Sequence, residues 1–108
     1  MVRAISEPDW KLFRQLRPIA LERFCQRALS DIEGLAHDGA KTGHERYLAI
    51  CDLMQQRDSE LAGIFNDLRR STALEQLAHF QALNLLTEDE MAHFSPDTLE
   101  VIRFLTGR

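Results

Sequence analysis

Residues 42–71 read TGHERYLAICDLMQQRDSELAGIFNDLRRS, and this stretch decides the fold class. Its apolar side chains recur at Tyr47, Ile50, Met54, Leu61, Ile64 and Leu68, spaced 3, 4, 7, 3 and 4. That is a heptad seam interrupted once, at Arg57, and a seam of this kind keeps one line of a helix against a partner helix. Leu48, Cys51, Leu53 and Phe65 widen the stripe, which suits a bundle helix better than an isolated coiled coil. Gly39 and Gly43 break what precedes, and Thr42 with Glu45 three residues later fits a capping box. The spacing predicts a helical arm over 43–71, about 42 Å long, which needs a second long helix beside it.

Upstream, Ser6-Glu7-Pro8-Asp9 is a helix start: a cap, a proline in the first turn and acids at the positive end of the helix dipole. Trp10, Phe13 and Leu16 mark one face, and Leu21, Phe24, Cys25, Ala28, Leu29, Ile32 and Leu35 restore the period. Pro18 lies between the two sets and predicts a kink or short break near Arg17. The first arm therefore spans 7–36, and the loop HDGAKTG joins it to the second. Two arms of similar length with a short connection predict an antiparallel hairpin.

Downstream, Leu74, Leu77, Phe80 and Leu83 leave the line through Leu61 and Leu68, and Thr72 with Glu75 offers another cap. A break near 71–72 is favoured over one helix running on to about 85, although no Gly or Pro lies between Gly63 and Leu86 to force it. Thr87 with Glu90, and then Ser95-Pro96-Asp97, predict two short helices, the last closed by Gly107. Residues 72–106 thus read as short C-terminal helices within a single domain of residues 1–108. No strand-type alternation or repeat is present.

The totals restrict function. The 108 residues suffice for one modest core, and no apolar run approaches the ~20 residues of a membrane span. The opening MVRAISEPDWK has no apolar signal core, so the expected location is the cytoplasm. Cys25 and Cys51 have no metal-type spacing and read as two buried thiols acting as small hydrophobes. Residues 72–108 hold two basic and six acidic groups, a balance that repels phosphate and argues against nucleic acid as a partner.

Few residues carry chemistry. Glu90-Met91-Ala92-His93 has the Glu-x-x-His spacing of di-metal bundles, and Glu75 with His79 shares one helix face. One such motif does not make a centre, so Glu90, His93, Glu75 and His79 are weak metal candidates only. No cofactor, catalytic residue or phosphate loop is assigned, and the reading leans away from an enzyme. Lys11, Arg14 and Arg17, and separately Arg69 and Arg70, form basic clusters. The last two helices could suggest a transcription-associated helix-turn-helix, but beyond residue 95 only Arg103 and Arg108 are basic.

The expectation is an all-α protein: a hairpin kinked at Pro18, then two or three short helices, forming a bundle on dimerisation. The leading function is a non-catalytic protein-interaction or structural module. A homodimer is the expected partner state and another protein the alternative. The interface is expected at Tyr47, Ile50, Met54, Arg57, Leu61, Ile64 and Leu68. Arg57, charged at a seam position, is expected to lay its stem along the seam with its head in water, the alternative being a register-fixing pair with Asp31 or Glu22 on the first arm or with an acid of another subunit.

Overall fold

A computed structural model describes residues 4–107. These residues are all-helical, with α1 at Glu7–Ala36, α2 at Gly43–Phe65, α3 at Ala73–Ala82, α4 at Glu88–Ala92 and α5 at Pro96–Thr106. A 3-10 turn at Arg70–Thr72 leads into α3. The described residues contain no strand.

Local chemistry sets most boundaries. Ser6 caps α1 by accepting from Asp9 N at 3.4 Å. Thr42 and Glu45 close a reciprocal capping box, with Thr42 N donating to Glu45 Oε1 at 2.9 Å and Glu45 N donating to Thr42 Oγ1 at 3.1 Å. Thr87 and Glu90 do the same at α4, at 2.7 and 3.1 Å. Ser95 caps α5, followed by Pro96 in the first turn. At the end of α3, Asn84 adopts a left-handed φ of 54°. Leu85 N then reaches Phe80 O at 2.8 Å and Asn84 N reaches Gln81 O at 3.0 Å. This is a Schellman motif, and its apolar pair Phe80–Leu85 is buried.

Three expectations are corrected. First, of the kink or short break expected near Arg17 there is no break: α1 runs continuously past Pro18. Pro18 is exposed, so the Arg14 carbonyl deprived of a donor faces water instead of the core. Second, α2 ends at Phe65 and not at Ser71. Arg17 donates a side-chain hydrogen bond to the Phe65 carbonyl, and Gln76 donates one to the Asp67 carbonyl. Side chains from other elements thus take up carbonyls that a longer helix would have used. Third, Thr72 makes no cap with Glu75; its hydroxyl donates to Asp67 O and Arg69 O, both at 3.0 Å.

The core lies at one end of the molecule. Phe13, Leu77, Phe80, Leu85 and Ile102 are fully buried there. An aromatic chain threads it: Trp10–Phe13, Phe13–Phe80, Phe80–Phe65 and Phe65–Phe24, with ring centroids 5.6, 6.0, 5.2 and 6.0 Å apart. α3, α4, α5, the first half of α1 and the last turn of α2 form this head. Beyond Arg27, which still holds the turn after α3, only α1 and α2 continue, as an arm. Contacts between them run in opposite order along the two helices: Arg46 with Ala36, Arg57 with Asp31, Phe65 with Phe24. The molecule is accordingly long, 52 × 25 × 24 Å. Its radius of gyration is 16.7 Å, against about 13 Å for a compact chain of this length.

Candidate functional site in the helical arm

The arm has two unlike sides, and the difference starts in the sequence. On α2 the residues turned to α1 are Arg46, Ile50, Leu53, Arg57, Leu61 and Ile64, spaced by threes and fours and at most partly exposed. Tyr47, Cys51 and Met54 occupy the next row of the same helix, one step around its surface. On α1, Cys25, Leu29 and Ile32 make the matching row. Between the two rows lies a mostly apolar groove of about 490 Å³ lined by Phe24, Cys25, Leu29, Ile32, Met54 and Leu61, with Gln55, Arg57 and Asp58 also in its wall. The other side has a hollow of about 330 Å³ of mixed lining, with Arg27, Asp31, Arg57 and Glu60 beside Phe24, Leu83 and Leu85.

The apolar side is open to solvent. Leu29 is 64% exposed, Tyr47 66%, Met54 55% and Leu48 48%. Leu29, Tyr47 and Met54 are large apolar side chains flanking one side of the arm, while Leu48 lies one step further round α2. Of the seven expected interface residues, Ile64 is buried in the head, while Ile50, Arg57 and Leu61 are half-buried between the helices of the arm. Tyr47 and Met54 are on the open face. Leu68 is also exposed, at 51%. It sits in the loop after α2 and not on the arm, because the helix that would have carried it stops at Phe65. Leu29 and Leu48 were absent from the expected set. Both belong to the apolar stripes legible in the sequence, Leu29 with Cys25 on the first arm and Leu48 on the second, but stand outside the seam positions from which the interface was expected.

Arg57 sits where the two sides meet. Its guanidinium lies 2.7 Å from Glu60 and 3.9 Å from Asp31, so its charge is met within the chain and across the arm. Glu22 instead accepts from Gln26 at 3.2 Å. Cys25 and Cys51 are free and partly exposed, which corrects the expectation of fully buried thiols. Their helical rows place both on the apolar side.

The metal candidates do not converge. Glu75, His79 and His93 are exposed. Among the described residues no three His, Cys, Asp or Glu side chains come together as a metal site would need. Glu90 has another role. Arg23 grips it through Nη1 to Oε1 at 2.6 Å and Nη2 to Oε2 at 3.1 Å, while also donating to Leu85 O at 2.8 Å. The Arg23 hydrogen bonds and the Thr87 amide hold the Glu90 carboxyl down at about 2.

The basic clusters are similarly engaged. Arg14 lies over the Trp10 ring at 5.8 Å and Arg17 over Phe65 at 5.7 Å. Arg69 pairs with Asp67 at 2.6 Å. Arg70 pairs with Glu7 at 2.6 Å and donates to Ile5 O at 3.0 Å. Arg17 and Arg70 thus tie elements of the head together, Arg69 makes a local surface pair, and Lys11 is exposed. The N-terminus of α5 is occupied as well: buried Asp9 accepts from Ser95 N at 3.1 Å, Ser95 Oγ at 2.6 Å and Thr98 Oγ1 at 2.6 Å. Burial opposes the charge on Asp9, but these donors outweigh it and leave the carboxyl below its ordinary value. Within the described residues no helix is long and apolar enough to cross a membrane.

The chain matches no family model, no curated protein and no solved structure.

Proposed function

We propose that this chain is a non-catalytic protein-interaction or structural module acting through the apolar side of the α1–α2 arm. In this reading the arm is an antiparallel helical hairpin, bent from the head near Pro18, and it works in the cytoplasm. The observation that carries it is the placement of Leu29 and Met54, both more than half exposed, on either lip of one apolar groove. The head has a complete core of its own and gains nothing from an arm that leaves such side chains in water. Groups that could do chemistry support the same reading, because Glu90, Asp9 and Arg57 are each held by partners within the chain.

Native mass spectrometry of the chain isolated under non-denaturing conditions tests this. The expected extra mass is polypeptide, lost when Leu29→Glu and Met54→Glu are combined. A lone chain carrying a stoichiometric metal or small organic molecule would replace this reading with a ligand-binding one.

A further inference from the structure

We propose that residues 66–72 are a hinge: when it straightens, α2 and α3 join into one helix, and two copies of this chain exchange their α3–α5 segments. Nothing local ends α2. The helices α3 and α5 stop at left-handed residues, Asn84 with φ 54° and Gly107 with φ 73°. Asn66, just after α2, is still in the right-handed helical region, with φ −68° and ψ −22°. Its N–H still reaches Ala62 O at 3.3 Å. No Gly or Pro occurs from Ile64 to Leu85, and no residue there before Asn84 has a positive φ. The turn is held by side chains instead. Arg17 donates to Phe65 O, Gln76 to Asp67 O, and the Thr72 hydroxyl to Asp67 O and Arg69 O. In a joined helix the same three carbonyls accept from the amides of Arg69, Ser71 and Ala73, four residues on. The latch is also incompletely satisfied: among the described residues Arg17 Nε and Gln76 Oε1 are buried without a partner.

Straightening the hinge takes the head apart within one chain. The rings of Phe65 and Phe80 are 5.2 Å apart in the structure. On one continuous helix these residues stand about 22 Å apart, so Phe80 no longer reaches Phe13 of its own chain. The row that carries Arg57, Leu61 and Ile64 onward is Leu68, Thr72, Glu75 and His79, too polar to cover Phe13 in place of Leu77 and Phe80. What fits the first half of α1 is already known from the closed form. Phe80 stacks on Phe13, Ser95 and Thr98 donate to Asp9, and Glu90 pairs with Arg23. With the hinge straight, the α3–α5 surface that makes these contacts is supplied by a second copy. The exchange is reciprocal, so it closes on a two-fold axis and leaves no surface to propagate.

Refolding the full chain from urea at 200 µM, followed by size-exclusion chromatography with light scattering, tests the hinge, with circular dichroism confirming that each variant is folded. The expected product includes a dimer that returns only slowly to monomer on dilution, because the head must open first. Its fraction should rise at least twofold when Arg17→Ala and Gln76→Ala are combined. Leu68→Pro should lower it at least tenfold. Among the described residues the Leu68 amide makes no backbone hydrogen bond in the turn, but a joined helix needs it for Ile64 O. Independently of any variant, the carbon chemical shifts of residues 66–72 should be helical throughout in the dimer and not in the monomer. Leu29→Glu combined with Met54→Glu should leave the exchanged dimer intact, which separates it from a contact through the arm. A chain that stays monomeric both as wild type and with Arg17→Ala and Gln76→Ala overturns the proposal, as does a dimer that keeps the 66–72 turn or survives Leu68→Pro. A dimer that survives Leu68→Pro and is lost with Leu29→Glu and Met54→Glu removes the hinge and keeps the interaction module of the arm.

Discussion

The Asp9 carboxylate accepts a 2.6 Å hydrogen bond from Thr98 Oγ1, joining residues 89 positions apart in the chain. The same carboxylate oxygen takes the Ser95 hydroxyl at 2.6 Å, so the first turn of α1 grips the first turn of α5. This clasp is buried, Asp9 and Thr98 each being 4% exposed. It fixes the last helix to the first and completes the head from which the arm extends.

Asp9→Ala leaves the Ser95 and Thr98 donors buried without an acceptor. It is expected to cost about 3 kcal/mol, since hydrogen bonds to a charged group contribute about 1.5–3 kcal/mol each and orphaned donors add to the loss. Asp9→Asn keeps one acceptor oxygen and should cost less. Urea denaturation curves of the two variants give the order directly; equal stability of Asp9→Ala and wild type would show that the clasp is unimportant.

Glu90 gives stability a defined pH dependence. Its folded carboxyl is held at about 2 by Arg23 and the Thr87 amide, below the ordinary value of 4.5. A depressed carboxyl stabilises the fold fully above the unfolded value and loses that contribution as pH falls through the folded one. The window is therefore pH 4.5 down to about 2. Because both side chains are partly exposed, the contribution is of order 1 kcal/mol. Melting curves of wild type and Glu90→Gln should differ at pH 7 and converge near pH 2.

Head and arm should differ in their response to truncation. Phe80→Ala removes a ring stacked against Phe13 and Phe65 and should cost about 3–5 kcal/mol, the range for large core aromatics. Leu29→Ala, at a 64% exposed position, should change the stability of the isolated chain by no more than about 0.5 kcal/mol. Chemical denaturation at low concentration separates the two cases.

Asn84 should tolerate glycine and resist β-branched residues. Its φ of 54° lies in the left-handed region, and Arg27 donates to the carbonyls of both Leu83 and Asn84, holding that turn in place. Asn84→Val is expected to cost about 1–2 kcal/mol, while Asn84→Gly should be near neutral. Thermal melts of the two variants provide the comparison.

Local signals were legible wherever their physics is local. The caps at Ser6, Thr42, Thr87 and Ser95 involve side chains within three residues of the amides they serve, and the helices begin there. The all-helical class followed from apolar spacing alone. The end of α2 was not legible, because Arg17 and Gln76, which take the carbonyls of Phe65 and of Asp67 just beyond it, come from other elements. The fate of Glu90 was hidden for the same reason: a Glu-x-x-His spacing carries no trace of Arg23, 67 residues away.

The sequence by itself determined which segments are helical, where most of them start, and that each arm carries an apolar stripe. Only the tertiary structure decided which part of each stripe meets another helix and which remains in water. The head closes around Phe13 and Phe80, and α3 to α5 are too short to follow α1 and α2 outward. Leu29, Tyr47 and Met54 lie beyond their reach, and hydrophobic burial is set by what is near in space, which periodicity cannot encode.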